Sequence, residues 1–175
     1  MGRECSFTFE NGTMRKVKIY LDTSFINYLV ATRFPEKMTD SLNLWKFFVS
    51  TDRFDVVLSE TVDEELQACY EPKRSQLLEK LAEIPFVLVS ETPEITTLAD
   101  RYVEFDVLHS KHYYDLLHIA HATVNRCKLI VSWNFKHFVN FRTMDRVNAV
   151  NLVDGYEPIR IVSPSMLLGE LDYER

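Results

Sequence analysis

Residues 17–29 read VKIYLDTSFINYL. Val17 to Leu21 form a short, nearly continuous apolar run of the kind that becomes a strand buried on both faces. A carboxylate, Asp22, arrives where that strand should end, followed by Thr23 and Ser24. Beyond it the pattern FINYLVAT turns helical. Two readings of the charge are open. Asp22, Thr23 or Ser24 caps the helix by accepting its first backbone N–H groups, or Asp22 is held at the strand end for chemistry. The rest of the chain has to decide.

Four further apolar runs share the character of the first: FDVVLS (54–59), FVLV (86–89), KLIVS (128–132) and IRIVS (159–163). Helical patterns lie between them, at 24–31, 41–50, 60–70, 73–84, 93–105 and 109–126, with another helix expected after Asn134 and a short one after Pro164. Strands alternating with helices predict an α/β fold: a central parallel sheet of about five strands, covered by helices on both faces. In such sheets ligands bind in the crevice beyond the carboxyl ends of the strands, which is where Asp22 falls. We expect one domain over residues 15–168, an N-terminal tail or upstream start over 1–14, and a C-terminal tail over 169–175.

The composition fits one well-buried domain, with 46% hydrophobic and 13% aromatic residues in 175 and few glycines. No window approaches the roughly 18 apolar residues of a membrane span, and the N-terminus lacks the apolar core of a signal peptide. Cys5, Cys69 and Cys127 are odd in number and far apart, which excludes a disulfide framework or a CxxC knuckle and suits a reducing cytoplasm. The net charge of −6 argues against an extensive nucleic-acid face. From Arg126 to Arg146, however, five bases face a single acid, enough for a small phosphate-binding patch.

Three places bring polar groups to the same sheet edge as Asp22. The first follows FDVVLS, where Glu60, Asp63 and Glu64 suit the positive end of a helix dipole. Glu65 is different: it sits beside Val62 and Leu66 on the expected inward side, where a carboxylate needs a partner. The second is Asp115, flanked by apolar residues in HYYDLLHIAHATV. His118 follows three residues later and can share its face, as a metal ligand or as a hydrogen-bonded support. Zinc is not expected, because no second histidine or cysteine is seen at ligand spacing around Asp115. The third is SWNFKHF (132–138), where Ser132 and Asn134 end a strand, Asn134 suits a helix N-cap, and Lys136 and His137 bring positive charge.

The order LDTSFINYL, LSETVDEEL, DLLHIAHA, LIVSWNFKHF resembles the PIN domain, in particular its small VapC-like branch, over roughly Val17 to Val162. The resemblance implies a metal-dependent ribonuclease in which Asp22, Glu65 and Asp115 match the three acids of the metal site. Asn134 stands where many members carry a fourth carboxylate. It implies cleavage of RNA to a 5′-phosphate and a 3′-hydroxyl, a cognate antitoxin as protein partner, and a homodimer.

The physical chemistry of three converging carboxylates is consistent with that implication. They repel one another unless a cation neutralises them, and oxygen-only donors suit Mg²⁺ or Mn²⁺. Thr23 and Ser24 would orient a carboxylate or a bound water, with His118 and Ser132 in support. Lys136, His137 or Arg142 would hold substrate phosphate. Two other readings remain: a non-catalytic PIN-like binding or scaffold module, and a hydrolase using Asp22 as covalent nucleophile. The latter lacks a second Asp at i+2, where Ser24 stands.

Overall fold

The computed structural model describes residues 9–10, 13–14 and 16–173. The first described residues form a small antiparallel pair, β1 (Phe9–Glu10) and β2 (Thr13–Met14). The expected N-terminal tail over 1–14 otherwise lies outside the described residues. Five strands follow: β3 (Val17–Leu21), β4 (Phe54–Ser59), β5 (Phe86–Val89), β6 (Leu129–Val131) and β7 (Arg160–Val162). They form one parallel sheet in the order β5-β4-β3-β6-β7, the α/β architecture expected from the sequence.

Among the described residues eight α-helices cover this sheet: α1 (Thr23–Tyr28), α2 (Pro35–Ser50), α3 (Glu60–Gln67), α4 (Lys73–Leu81), α5 (Pro93–Glu104), α6 (Tyr113–Val124), α7 (Phe141–Val153) and α8 (Pro164–Tyr173). Consecutive strand residues point to opposite faces. Ile19, Tyr20 and Leu21 of β3 are all 0% exposed, so helices close both faces over the centre. In α2, Ser41, Leu44, Trp45 and Phe48 are buried, the spacing of a single helical stripe. In α6 every residue from Leu116 to Thr123 is buried, the signature of a central helix. Leu171 of α8 is buried too, and that helix packs on α2. Among the described residues no helix is long and apolar enough to cross a membrane. Cys69 and Cys127 are free.

Two local expectations change. The run FVLV was expected to be buried on both faces, but Val87 is 57% and Leu88 50% exposed, because β5 is the edge strand. The helix expected after Asn134 begins only at Phe141, capped by Asn140, whose Oδ1 accepts from Thr143 N at 2.9 Å. Asn134 caps the preceding turn instead, its Oδ1 accepting from His137 N at 3.0 Å.

The chain runs from β3 outward to β4 and β5, then returns across β3 to build β6 and β7. The strand order therefore reverses between β3 and β6, which opens a crevice at their carboxyl ends. Asp22 follows β3 and Ser132 follows β6, and both lie at that point.

Candidate functional site

Asp22 closes β3 and opens α1. It is the N-cap of α1, with Oδ1 accepting from Phe25 N at 3.0 Å, and it is a charged group 4% exposed in the floor of the crevice. Ser24 Oγ donates to Asp22 Oδ1 at 2.8 Å, and Ser132 Oγ donates to Oδ2 at 2.9 Å. Trp133 N donates to Ser24 Oγ, and Asn134 N to Ser132 Oγ. The loop after β6 is thereby fastened to the start of α1. Burial lifts the Asp22 carboxyl above its ordinary range, against the opposing pull of His118 and of these hydrogen bonds.

Glu65 reaches the same rim from α3. Val62 and Leu66 beside it are buried, and its half-buried carboxylate has the partners such a position demands. Thr23 Oγ1 donates to Oε2, and His118 Nε2 lies 3.3 Å from that atom. Burial alone would raise the Glu65 carboxyl, but His118 and Thr23 together hold it below its usual range. His118 is in turn fixed from behind, its Nδ1 lying 2.7 Å from Tyr20 Oη, which lies 2.6 Å from Ser59 Oγ. An ionised Glu65 only accepts, so His118 Nε2 presents its N–H to it. His118 is thus a support for Glu65. The DxxH pairing with Asp115 that its spacing allowed is not formed.

Asp115 stands at the first turn of α6. Asn134 Nδ2 donates to its Oδ1 at 3.3 Å, and His137 Nδ1 lies 2.7 Å from its Oδ2. His112, three residues before Asp115, brings Nδ1 to 3.7 Å from the same oxygen. The three acids therefore gather around one crevice without their oxygens meeting. Thr23, adjacent to Asp22, bonds Glu65, while Asn134 and Ser132 link Asp115 to Asp22.

Among the described residues, the trio of histidine and acid groups that offers ligand atoms within 4.8 Å of one another is His112, Asp115 and His137. The expectation that no second histidine stands at ligand spacing around Asp115 is overturned, because His112 and His137 both reach it. His112 lies at i−3 on the turn that leads into α6, a spacing visible in the sequence as H-x-x-D. His137 arrives through the fold alone, from the loop after β6.

Of the residues expected to hold phosphate, Lys136 and Arg142 line a cavity of about 280 Å³ together with His109, Asn140 and Thr143. His137 turns inward to Asp115 instead. Lys128 and Arg146 of the basic stretch are paired with Glu157 and Asp106. A larger cavity, about 580 Å³, lies between α2 and α8 and contains none of the site residues in its wall. Beside Trp133, an aromatic group had escaped the sequence reading: Tyr28, Phe34 and Phe135 cluster there, with Lys37 Nζ 4.8 Å from the Tyr28 ring centre. Phe34 and Phe135 are 54% and 49% exposed.

The molecule is thus an α/β domain whose parallel sheet carries acidic side chains beside its switch point. The sequence profile of the PIN domain matches residues 19–138, and the chain belongs to that family. No curated protein sequence matches it. Its fold is similar to a chain of VapBC2 from Rickettsia felis, solved bound to a DNA fragment from its promoter, with 17% identity and a TM-score of 0.55 over 84% of this chain and 98% of that one. It is also similar to VapC20 of Mycobacterium tuberculosis, a toxin that cleaves the sarcin-ricin loop, with 16% identity and a TM-score of 0.50 over 68% of this chain and 92% of that one.

Proposed function

We propose that the protein is a divalent-metal-dependent endoribonuclease, the toxin of a type II toxin–antitoxin pair acting in a reducing cytoplasm. The observation that carries this reading is the gathering of Asp22, Glu65 and Asp115 at the switch point of a PIN-family sheet. Hard oxygen donors from three separate elements fit Mg²⁺ or Mn²⁺, and a carboxylate as buried as Asp22 is one that a cation stabilises. Asp22, Glu65 and Asp115 would hold the ion. When bound, it supplies an activated water and compensates the charge that develops on the phosphodiester.

The chain's own groups do the rest. Ser24 and Ser132 aim the Asp22 carboxylate, Thr23 and His118 fix that of Glu65, and Asn134 fixes that of Asp115. Lys136 and Arg142 supply positive charge for a neighbouring phosphate. The exposed rings of Phe34 and Phe135 offer a face on which an unpaired base stacks, the usual way proteins read single-stranded RNA. The same reading carries a cognate antitoxin that obstructs the acidic crevice, and a homodimer.

End-labelled RNA incubated with the protein tests it. Fragments bearing 5′-phosphate and 3′-hydroxyl ends are expected with Mg²⁺ or Mn²⁺ and none with chelator. No cleavage across the divalent series would leave a non-catalytic PIN-like module. Mn²⁺ should also raise the melting midpoint by a few degrees at about ten times its dissociation constant, and equal midpoints with Mn²⁺ and with chelator would count against any metal site.

Asn134→Asp tests the position where the family pattern departs. The amide now donates to Asp115 Oδ1; a carboxylate there meets Asp115 as a like charge and should destabilise the metal-free protein. Mn²⁺ affinity should rise in compensation. Calorimetric titration giving unchanged affinity and stoichiometry would leave position 134 outside the metal site.

A further inference from the structure

The geometry points to a transition-metal site of the kind that takes Zn²⁺, formed by His112, Asp115 and His137 at the mouth of the acidic crevice. Zinc bonds to imidazole and carboxylate measure about 2.0–2.2 Å, which sets tetrahedral ligand atoms roughly 3.3 Å apart. Asp115 Oδ2 lies 2.7 Å from His137 Nδ1 and 3.7 Å from His112 Nδ1, bracketing that separation. The two imidazole rings are already gathered, their centres 3.9 Å apart and their planes inclined by 47°. A Zn²⁺ here replaces the proton that bridges His137 and Asp115.

The support around the trio is that of a built site. Asn134 holds Asp115 Oδ1 through Nδ2, leaving Oδ2 turned to the histidines, and holds the backbone of His137 through its own Oδ1. Such outer hydrogen bonds orient metal ligands and tune their affinity. The three side chains are 15–25% exposed, which leaves a fourth position open to water or a phosphate oxygen.

The ligand set also chooses the ion. The trio offers two imidazole nitrogens and only one carboxylate. Mg²⁺, which sheds water reluctantly and prefers oxygen donors, gains little here, whereas two imidazoles favour Zn²⁺ strongly. Because the site captures Asp115, Zn²⁺ should act as an inhibitor that withdraws this carboxylate from the acidic crevice. That consequence rests on the nuclease reading; the binding itself does not.

Calorimetric titration with Zn²⁺, paralleled by the visible absorption of tetrahedral Co²⁺, tests the site. The wild type should bind one ion. His112→Ala and His137→Ala, each first checked for a wild-type melt, should bind at least about 100-fold more weakly, the upper cost of losing even an outer partner. Asp22→Asn and Glu65→Gln should bind as the wild type does. No binding by the wild type, or wild-type affinity in His112→Ala, overturns the site. In the cleavage arm, Zn²⁺ added to Mg²⁺-driven reactions should inhibit the wild type, and each histidine variant, set against its own zinc-free rate, should need at least about 100-fold more. Equal Zn²⁺ sensitivity overturns the inhibition. Absence of any cleavage overturns the nuclease reading and leaves the binding isotherm to decide the site.

Discussion

Asp22→Asn is expected to lower RNA cleavage by about 10³-fold or more, while the metal-free variant melts no lower than the wild type. The loss follows from charge. A carboxylate ligand contributes several kcal/mol of stabilisation to a metal-assisted displacement, and each tenfold in rate is about 1.4 kcal/mol. The unchanged stability follows from shape. Asparagine keeps an oxygen for Phe25 N and is itself a favoured N-cap. Its amide can donate to Ser132 Oγ, which in the wild type donates to Asp22 Oδ2. The substitution also removes a buried charge that is costly without its cation. Asp22→Ala separates the two roles, since it gives up the cap, worth about 1 kcal/mol, and strands the hydroxyl of Ser132. Single-turnover cleavage rates and chelator-containing melts on both variants decide the matter. An asparagine variant that cleaves at the wild-type rate would return Asp22 to the cap reading alone.

Asp22 also shows why the sequence was so informative at this point. A strand end, an N-cap and a buried acid coincide in one residue, and each leaves a local signature. The strands, the helix order and the parallel sheet were legible for the same reason, since the alternation of short apolar runs with amphipathic stretches is a local property. Glu65 was legible because its neighbours Val62 and Leu66 had to point inward. The exposed faces of β5 were not legible: FVLV is as apolar as a central strand, and only the strand order places it at an edge. Asn134 suited a helix N-cap by residue type, but the fold spends its side chain on a turn and on Asp115. His112 stood in plain view at i−3 from Asp115. Its meaning depended on His137, which is 22 residues beyond Asp115 in sequence and within hydrogen-bond reach of it in space.

His121 is expected to make the fold sensitive to acid, costing about 3 kcal/mol of stability between pH 7 and pH 4. Three residues beyond His118 on α6, it points away from the crevice and is 0% exposed. Its Nδ1 has no hydrogen-bond partner, and its Nε2 makes only a long contact of 3.4 Å with Thr61 Oγ1. Burial first, and then the proximity of His118, lower its pKa from 6.5 to about 4, with Glu60 opposing weakly. Between those values the unfolded chain holds a proton that the folded chain refuses, so stability rises with pH across the window and falls as pH drops through it. A shift of about 2.5 pH units at about 1.4 kcal/mol each is about 3.5 kcal/mol in full, of which about 3 is lost by pH 4, where the folded group is itself half protonated. Other groups titrate nearby: His112 is lowered and acts in the same direction, while Asp22 is raised and acts in the opposite one. The comparison must therefore be made against a variant that changes His121 alone. His121→Leu keeps the volume roughly constant, buries no unpaired nitrogen and cannot be protonated, so at pH 7 it should lie within about 1.5 kcal/mol of the wild type. Urea unfolding of both proteins at pH 7, 6, 5 and 4 should show the difference moving by about 3 kcal/mol in favour of leucine as the pH falls. Curves that stay parallel over the whole range would mean that His121 binds its proton as readily folded as unfolded, and that some other group sets the acid limit of this domain.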